Sequence, residues 1–485
     1  MNRRYYGAAA ILLSASVAAC SNDVVSPSSD AVVRTARAVT PSANGEYLVL
    51  LTGNGSKTFS AKVEALGGKV QFVHEGAGLA GVSGLSAAAA KQLVSANGVQ
   101  DVQPNIEFTL AAPVAAVEAD ASDISIASQA NPTTAARYVW QWNMRAIGAN
   151  TAWAAGKLGS SNVTVAIIDS GIDYDIPDMN GLVDLSRSTS FVPSDSAITA
   201  TYFPTRHLSD DYNGHGTNVA TQVSSKAAAL AGVTSRTTLI SVKAIGRTGS
   251  GNTTQSLRGV LWAADHGAQV ANMSLGGAFA KNEIQQLVPF INRVMSYAHS
   301  KGMLIVVAAG NELTDLDHNG NVYQTYCNAT HVICVSAFGP AVATGSVNAF
   351  AYYSNYGRSA VDVAAPGGNA DAANNLTVSA WPWGNDIASW VWSYCPKFRI
   401  ASLTAAGVPV LTACSAGNRL TGSIGTSQAA PHVAGLAALI LAENPGMSID
   451  DVKDLILSST DDVGAPGTDP FYGKGKINVA KALGL

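Results

Sequence analysis

Residues 425–435 read Gly425-Thr426-Ser427-Gln428-Ala429-Ala430-Pro431-His432-Val433-Ala434-Gly435 and run on into an apolar stretch, 436–441. Val433, Leu436, Ala437 and Ile440 recur at helical spacing, and the positions between them are mostly apolar too. That pattern predicts a helix buried on all sides. Pro431 suits the first turns, where a missing N–H costs least, and Asn444-Pro445-Gly446 ends the helix. Ser427 then stands at the N-terminus of a buried helix, beside free backbone N–H groups and the positive end of the helix dipole. An oxyanion formed at its hydroxyl is stabilised there. Taken alone, Ser427 is a helix-capping serine, the usual employment of such a residue. Three other stretches change that reading.

Upstream, near-continuous apolar strands at 163–168, 239–244, 270–274, 303–309 and 332–337 alternate with helical patterns at 218–230, 253–266 and 284–300. Such alternation predicts an α/β fold, a parallel sheet covered on both faces, whose ligands bind at the carboxyl ends of the strands. The first strand ends in Asp169-Ser170-Gly171, and the fourth in Gly310-Asn311-Glu312. Between them Asn213-Gly214-His215-Gly216-Thr217 opens a helix. Singly, each motif is an ordinary turn or cap. Jointly they supply the parts of acyl transfer: Ser427 as nucleophile, His215 as general base and then acid, Asp169 to fix the imidazole tautomer, and Asn311 to donate to the oxyanion.

The rest of the chain bounds the setting. Hydrophobic residues make up 47% of the 485 and charged residues 13%, enough for a large core. A net charge of −4 points away from nucleic acid and from an electrostatic hold on anionic membranes. Residues 1–19 read as a signal peptide: Arg3 and Arg4, then an apolar core, then Val17-Ala18-Ala19 before Cys20. Val-Ala-Ala-Cys resembles a bacterial lipobox, which implies a lipid on Cys20, and Ser21 resembles an outer-membrane retention pattern. Residues 20–45 form a flexible tether. Residues 46–110 give the order β-α-β-β-α-β, with a last strand at 99–108, the split-βαβ plan of a small ferredoxin-like domain. Residues 111–137 carry no pattern and read as a linker, and 138–485 form the large domain. Without Cys20 the cysteines are Cys327, Cys334, Cys395 and Cys414, an even count in an exported chain. Three pairings are open, and the sequence-local one, Cys327–Cys334 with Cys395–Cys414, is expected.

The order Asp, His, Ser and the wording around Asp169-Ser170-Gly171, His215-Gly216-Thr217, Gly310-Asn311 and Gly425-Thr426-Ser427-x-Ala429-Ala430-Pro431 resemble the subtilisin-like serine peptidases, from about Trp140 to Asn478. The resemblance implies a subtilisin-like fold and hydrolysis of peptide bonds in protein substrates, with no cofactor in the chemistry. It implies that Gly249, Ser250 and Gly251 pair with the substrate backbone as a strand. The same resemblance implies that Ser274, Leu275 and Gly276 line one side of the P1 pocket, and Ala308, Ala309 and Gly310 the other. An uncharged pocket of that kind favours apolar residues before the cut bond. Residues 46–110 resemble the family's inhibitor-like propeptide, with the chain near 105–110 in the substrate groove and the maturation site in 111–137. Self-cleavage then releases the peptidase from a lipid on Cys20, the one link to the membrane, toward the extracellular space.

Three departures from the family pattern stand out. Gln428 replaces a common Met, Asn218 stands where a second histidine is common, and an insertion between Pro366 and Gly425 holds Trp381, Trp383, Trp390, Trp392, Cys395 and Cys414. The insertion reads as a stapled flap rather than an aromatic wall for substrate. The loop Asp315-Leu316-Asp317-His318-Asn319-Gly320-Asn321 has calcium-loop spacing, but Tyr326 stands at position twelve in place of the bidentate acid. It reads as a polar turn, while the family leaves room for a structural calcium.

Overall fold

The computed structural model describes residues 40–41, 44–52, 56–110, 116–124, 127–318, 320–341, 346–369, 389–396, 399–410, 414 and 418–485. The expected signal peptide, Cys20, most of the tether, Trp381 and Trp383 lie outside them. The central sheet runs in the order Ser346–Phe350, Val332–Ala341, Leu304–Ala308, Val270–Met273, Thr164–Asp169, Thr238–Lys243, Thr189–Ser190, and Val363–Pro366 also pairs with Val332–Ala341. Every pairing in it is parallel except that of Ser346–Phe350. From Thr164–Asp169 the chain goes to the edge strand Thr189–Ser190 and in again to Thr238–Lys243 on the same side, then crosses back to Val270–Met273 on the other side. The strand order thus reverses between the strand that ends in Asp169 and the one that precedes Ser274, the position at which open α/β sheets bind ligands.

The helix Thr426–Glu443 is capped by Gly425, and every residue from Thr426 to Leu441 is buried except Ser427. It fills one face of the sheet with Val433, Leu436, Ala437 and Ile440, so a Leu436→Ala change costs about 2–5 kcal/mol in transfer and cavity terms. Pro431 lies further into the helix than the sequence suggested, as its sixth residue. It leaves the Ser427 carbonyl without a helical partner. The Ser274 hydroxyl supplies one, donating to that carbonyl at 2.9 Å. The helices Thr253–Asp265 and Val288–Ser300 cover the other face. The pattern expected to be helical over 218–230 is helical only over His215–Val223. Beyond it the Asp178 carboxylate accepts the N–H groups of Ala228, Ala229 and Leu230, which holds that alanine-rich stretch as a buried loop.

In the small N-terminal domain the strands follow the order Lys69–His74, Leu79–Ser83, Tyr47–Leu51, Val99–Pro104, all antiparallel, with helices at Ser56–Ala65 and Ala87–Val94. Tyr47–Leu51 obeys the two-residue period of a strand. Val49 and Leu51 face the domain's own core with Phe59 and Val63, while Leu48 and Leu50 join the core beneath Thr253–Asp265 and Val288–Ser300. The last strand is not continuous over 99–108. It breaks at buried Asn105, after Pro104, which has no N–H to donate to a ladder. Ile106–Thr109 then leaves the small sheet and pairs antiparallel with Ser250–Asn252.

Residues 111–137 are not patternless either, for Ala116–Asp120 forms an edge strand on Arg419–Ser423, whose other neighbour is Val391–Tyr394. Both expected disulfides form, Cys327–Cys334 and Cys395–Cys414. Trp392 is a core residue packed on Trp140, which places this part of the insertion in the structural framework.

Candidate active site

Asp169 closes its strand fully buried, and His215 opens its helix at the next loop of the rim. The Asp169 Oδ1 and His215 Nδ1 lie 2.8 Å apart, with 14% of the histidine side chain exposed. Burial disfavours the imidazolium, yet the charge and hydrogen bond of Asp169, with Asp211 adding to them, outweigh it and hold His215 above the ordinary histidine value. A carboxylate at Nδ1 fixes the tautomer that leaves the Nε2 lone pair free. The second Asp169 oxygen, Oδ2, has no hydrogen-bond partner among the described residues.

The turn before His215 is held by Asp211, a residue the sequence reading passed over. Its carboxylate accepts from the backbone of Asn213, Gly214 and Thr217 and from the hydroxyls of Ser170 and Thr217. One aspartate thereby ties the Asp169 loop to the His215 helix. Its place four residues before His215 was the available signal. Arg399, from the late insertion, does the same from outside. Nearly buried, it spans Asp173 (2.8 and 3.1 Å) and Asp210 (2.5 Å), one just after Asp169 and the other just before His215.

Ser427 reaches solvent at the first turn of its helix, and its Oγ donates to the Ser274 carbonyl at 3.3 Å. No hydrogen bond joins that hydroxyl to His215; such bonds commonly close only when substrate binds. The two helices are nonetheless joined beside their N-termini. Asn218, three residues past His215, accepts from Gln428 Nε2 at 3.2 Å, one residue past Ser427, and donates to Ser423 Oγ at 2.9 Å. Two of the three departures from the family pattern, Asn218 and Gln428, are therefore bonded to each other.

Asn311 is anchored by its carbonyl oxygen, which accepts from the Thr426 N–H at 2.8 Å and the Thr426 hydroxyl at 2.9 Å. Its amide Nδ2 makes no hydrogen bond among the described residues and stands 3.4 Å from where a Cβ on Gly425 would be. A donor pinned by its other end and left unspent is preorganised for an incoming oxyanion.

Of the expected substrate residues, Ser250 and Gly251 carry the pairing to residues 108–109, and the Gly249 carbonyl accepts from Leu110 N–H at 2.8 Å. Ser274 is doubly bonded to Ser427, Leu275 is buried, and Gly276 adopts φ +135°. Ala308 ends its strand, the Ala309 carbonyl accepts from Asn355 Nδ2, and Gly310 at φ +101° leaves no room for a side chain beside Glu312 and Gln324. In the loop at Asp315, the carboxylates of Asp315 and Asp317 accept N–H and O–H groups from the loop and from Ser359. Among the described residues no group of three or more His, Cys, Asp or Glu is placed to hold a metal.

The architecture is a subtilisin-like α/β fold, with Asp169 and His215 bonded to each other and Asn311 bonded to the residue before Ser427. The subtilase family model matches residues 160–475, well over half of the chain, so the protein belongs to that family of serine peptidases. It is 29% identical to thermitase of Thermoactinomyces vulgaris over 71% of this chain and 95% of the relative. It is 30% identical to subtilisin DY of Bacillus licheniformis over 69% and 96%. The epidermin leader peptide processing serine protease of Staphylococcus aureus shares the fold, with a TM-score of 0.67 at 22% identity over 91% of this chain and 98% of that one.

Proposed function

We propose that the protein is an exported endopeptidase made as a self-processing zymogen. Ser427 Oγ attacks the scissile carbonyl while its proton passes to His215 Nε2, and Asn311 Nδ2 donates to the resulting oxyanion. His215 then delivers that proton to the leaving amine as the C–N bond breaks, and water repeats the sequence on the acyl-enzyme. The observation that carries this reading is the Asp169–His215 bond at 2.8 Å, at the rim where Ser427 alone of its helix's first sixteen residues meets solvent. Covalent labelling of Ser427 by a fluorophosphonate, with cleavage of internal peptide bonds that Ser427→Ala abolishes, is the expected result. An unlabelled, folded and processed protein overturns the reading.

Residues 46–110 act as the inhibitor in this scheme, since Ile106–Thr109 lies on Ser250–Asn252 as a substrate strand would. Cleavage then falls after Leu110, within 111–137. The Ser427→Ala chain, made without another protease, is expected to stay full length; normal-sized mature protein from it refutes self-processing. Export by residues 1–19 and a lipid on Cys20 complete the proposal, with the peptidase released once the propeptide is cut. Mass spectrometry of the purified chain, which reads the mature N-terminus and any lipid together, tests both.

A further inference from the structure

The strand Arg419–Ser423 runs straight into Gly425-Thr426-Ser427. The insertion's strand Val391–Tyr394 occupies one of its edges, and on the other lies Ala116–Asp120, antiparallel, with Ser423 opposite Ala116, Thr421 opposite Glu118 and Arg419 opposite Asp120. The pairing continues where Ala121 N–H donates to the Asn418 carbonyl at 3.0 Å. Upstream in the same chain, residues 107–110 lie along Gly249 to Asn252. Residues 107–110 and 116–120 of one chain thus lie on two strand edges, the second belonging to the strand that leads into Ser427. Only residues 111–115 separate the two paired stretches in sequence, which motivates placing the later residues of a substrate on Ser250–Asn252 at the second edge.

We propose that the outer edge of Arg419–Ser423 is the binding strand for substrate residues that follow the cut bond, and that Arg419 selects an acidic side chain among them. The proposal rests on reading Ser427 as the nucleophile. Main-chain hydrogen bonds along the edge give affinity without regard to sequence. Selectivity comes from charge. Glu118, opposite Thr421, reaches diagonally to Arg419 at 3.2 Å, with the two side chains 21% and 35% exposed, and Asp120 stands directly across from the same arginine. The Arg419 Nε makes no aligned hydrogen bond, so the preference is for negative charge and not for one acid over the other. Residues 116–120 hold the edge until the chain is cut and then compete with substrate for it.

The test uses the full chain after processing and a peptide library randomised at the third to eighth residues beyond the cut bond. Wild-type enzyme is expected to favour Asp and Glu at one of these positions by about two- to five-fold, the range of a partly exposed ion pair. R419E is expected to favour Lys and Arg at that same position, and R419Q to lose the preference, which gives a reading if the reversed charge fails to fold. In the unprocessed chain, E118R slows self-cleavage and E118R/R419E restores it. A wild-type enzyme that takes the fluorophosphonate and cleaves the library with no acidic preference overturns this proposal alone, as does a profile unchanged in both Arg419 variants. A wild-type enzyme that neither labels nor cleaves overturns the Ser427 reading and this one with it.

Discussion

His215 and His432 are both enclosed histidines near the N-terminal ends of neighbouring helices, yet the protein drives them in opposite directions. His215 meets a carboxylate and is held above the ordinary histidine value. His432 is wholly buried, with Nδ1 2.8 Å from the Gln428 carbonyl and Nε2 2.9 Å from the Asn143 amide nitrogen, and burial pushes it down to about 4. A carbonyl can only accept and an amide NH2 can only donate, so both His432 nitrogens are committed and the ring is locked neutral. His215 has one committed nitrogen and one open to solvent. The partner's chemistry, more than the depth of burial, separates an imidazole that can take up a proton from a piece of framework.

The direct way to break the comparison is to give His215 an amide partner like that of His432. Asp169→Asn removes the charge that outweighs burial. A loss of about four decades in kcat is expected, a magnitude taken from serine peptidases that include a member of this family. Because the general base must be neutral, the acid limb of wild-type kcat/KM is expected to have its midpoint above 6.5. The residual activity of the variant should show that midpoint moved down; a midpoint that stays in place breaks the assignment of His215 as base. Next in size, Asn311→Ala deletes the anchored donor and is expected to lower kcat by about two to three decades at nearly constant KM, again a magnitude measured in this family. A KM effect with unchanged kcat would assign Asn311 to substrate binding instead.

What could be read from the sequence divides along the same line. The helix that carries Ser427 was legible because eleven consecutive residues carry both its apolar texture and its family signature. Asp169, His215 and Asn311 were legible because each sits in a short local motif at the end of a strand or the start of a helix. The framework around them was not, since its bonds join distant residues of ordinary type. Ser274 replaces the partner that Pro431 denies to Ser427, across 153 residues, and Asn218 meets Gln428 across 210. Arg399 comes from an insertion whose sequence says nothing of Asp173 or Asp210. The edge strand Ala116–Asp120 was hidden for another reason. Alanine and acidic residues have low strand propensity, and the strand forms because Arg419–Ser423 offers an open edge and a cation.

The smaller test concerns His432 and reads stability in place of rate. Its folded-state value near 4 lies below the 6.5 expected when unfolded, so between these limits the unfolded chain binds a proton that the folded one refuses. Stability therefore rises with pH across that window and is fully present above about 6.5. Integrated, the difference amounts to about 3 kcal/mol lost as the pH falls from 6.5 to 4. His215 runs the other way: its raised value contributes stability that is present below about 6.5 and lost as the pH rises through its folded value. The His432→Gln variant keeps a neutral side chain that can still hydrogen-bond, so it is expected to be less stable than wild type at pH 7, from imperfect packing, but to lose less on acidification. Urea unfolding of the Ser427→Ala chain, expected to be catalytically silent, with and without this change at pH 7 and pH 4.5 measures the difference free of self-digestion. Parallel pH slopes in the two proteins would mean that the acid sensitivity lies elsewhere, and that His432 is not the neutral counterpart against which His215 is defined.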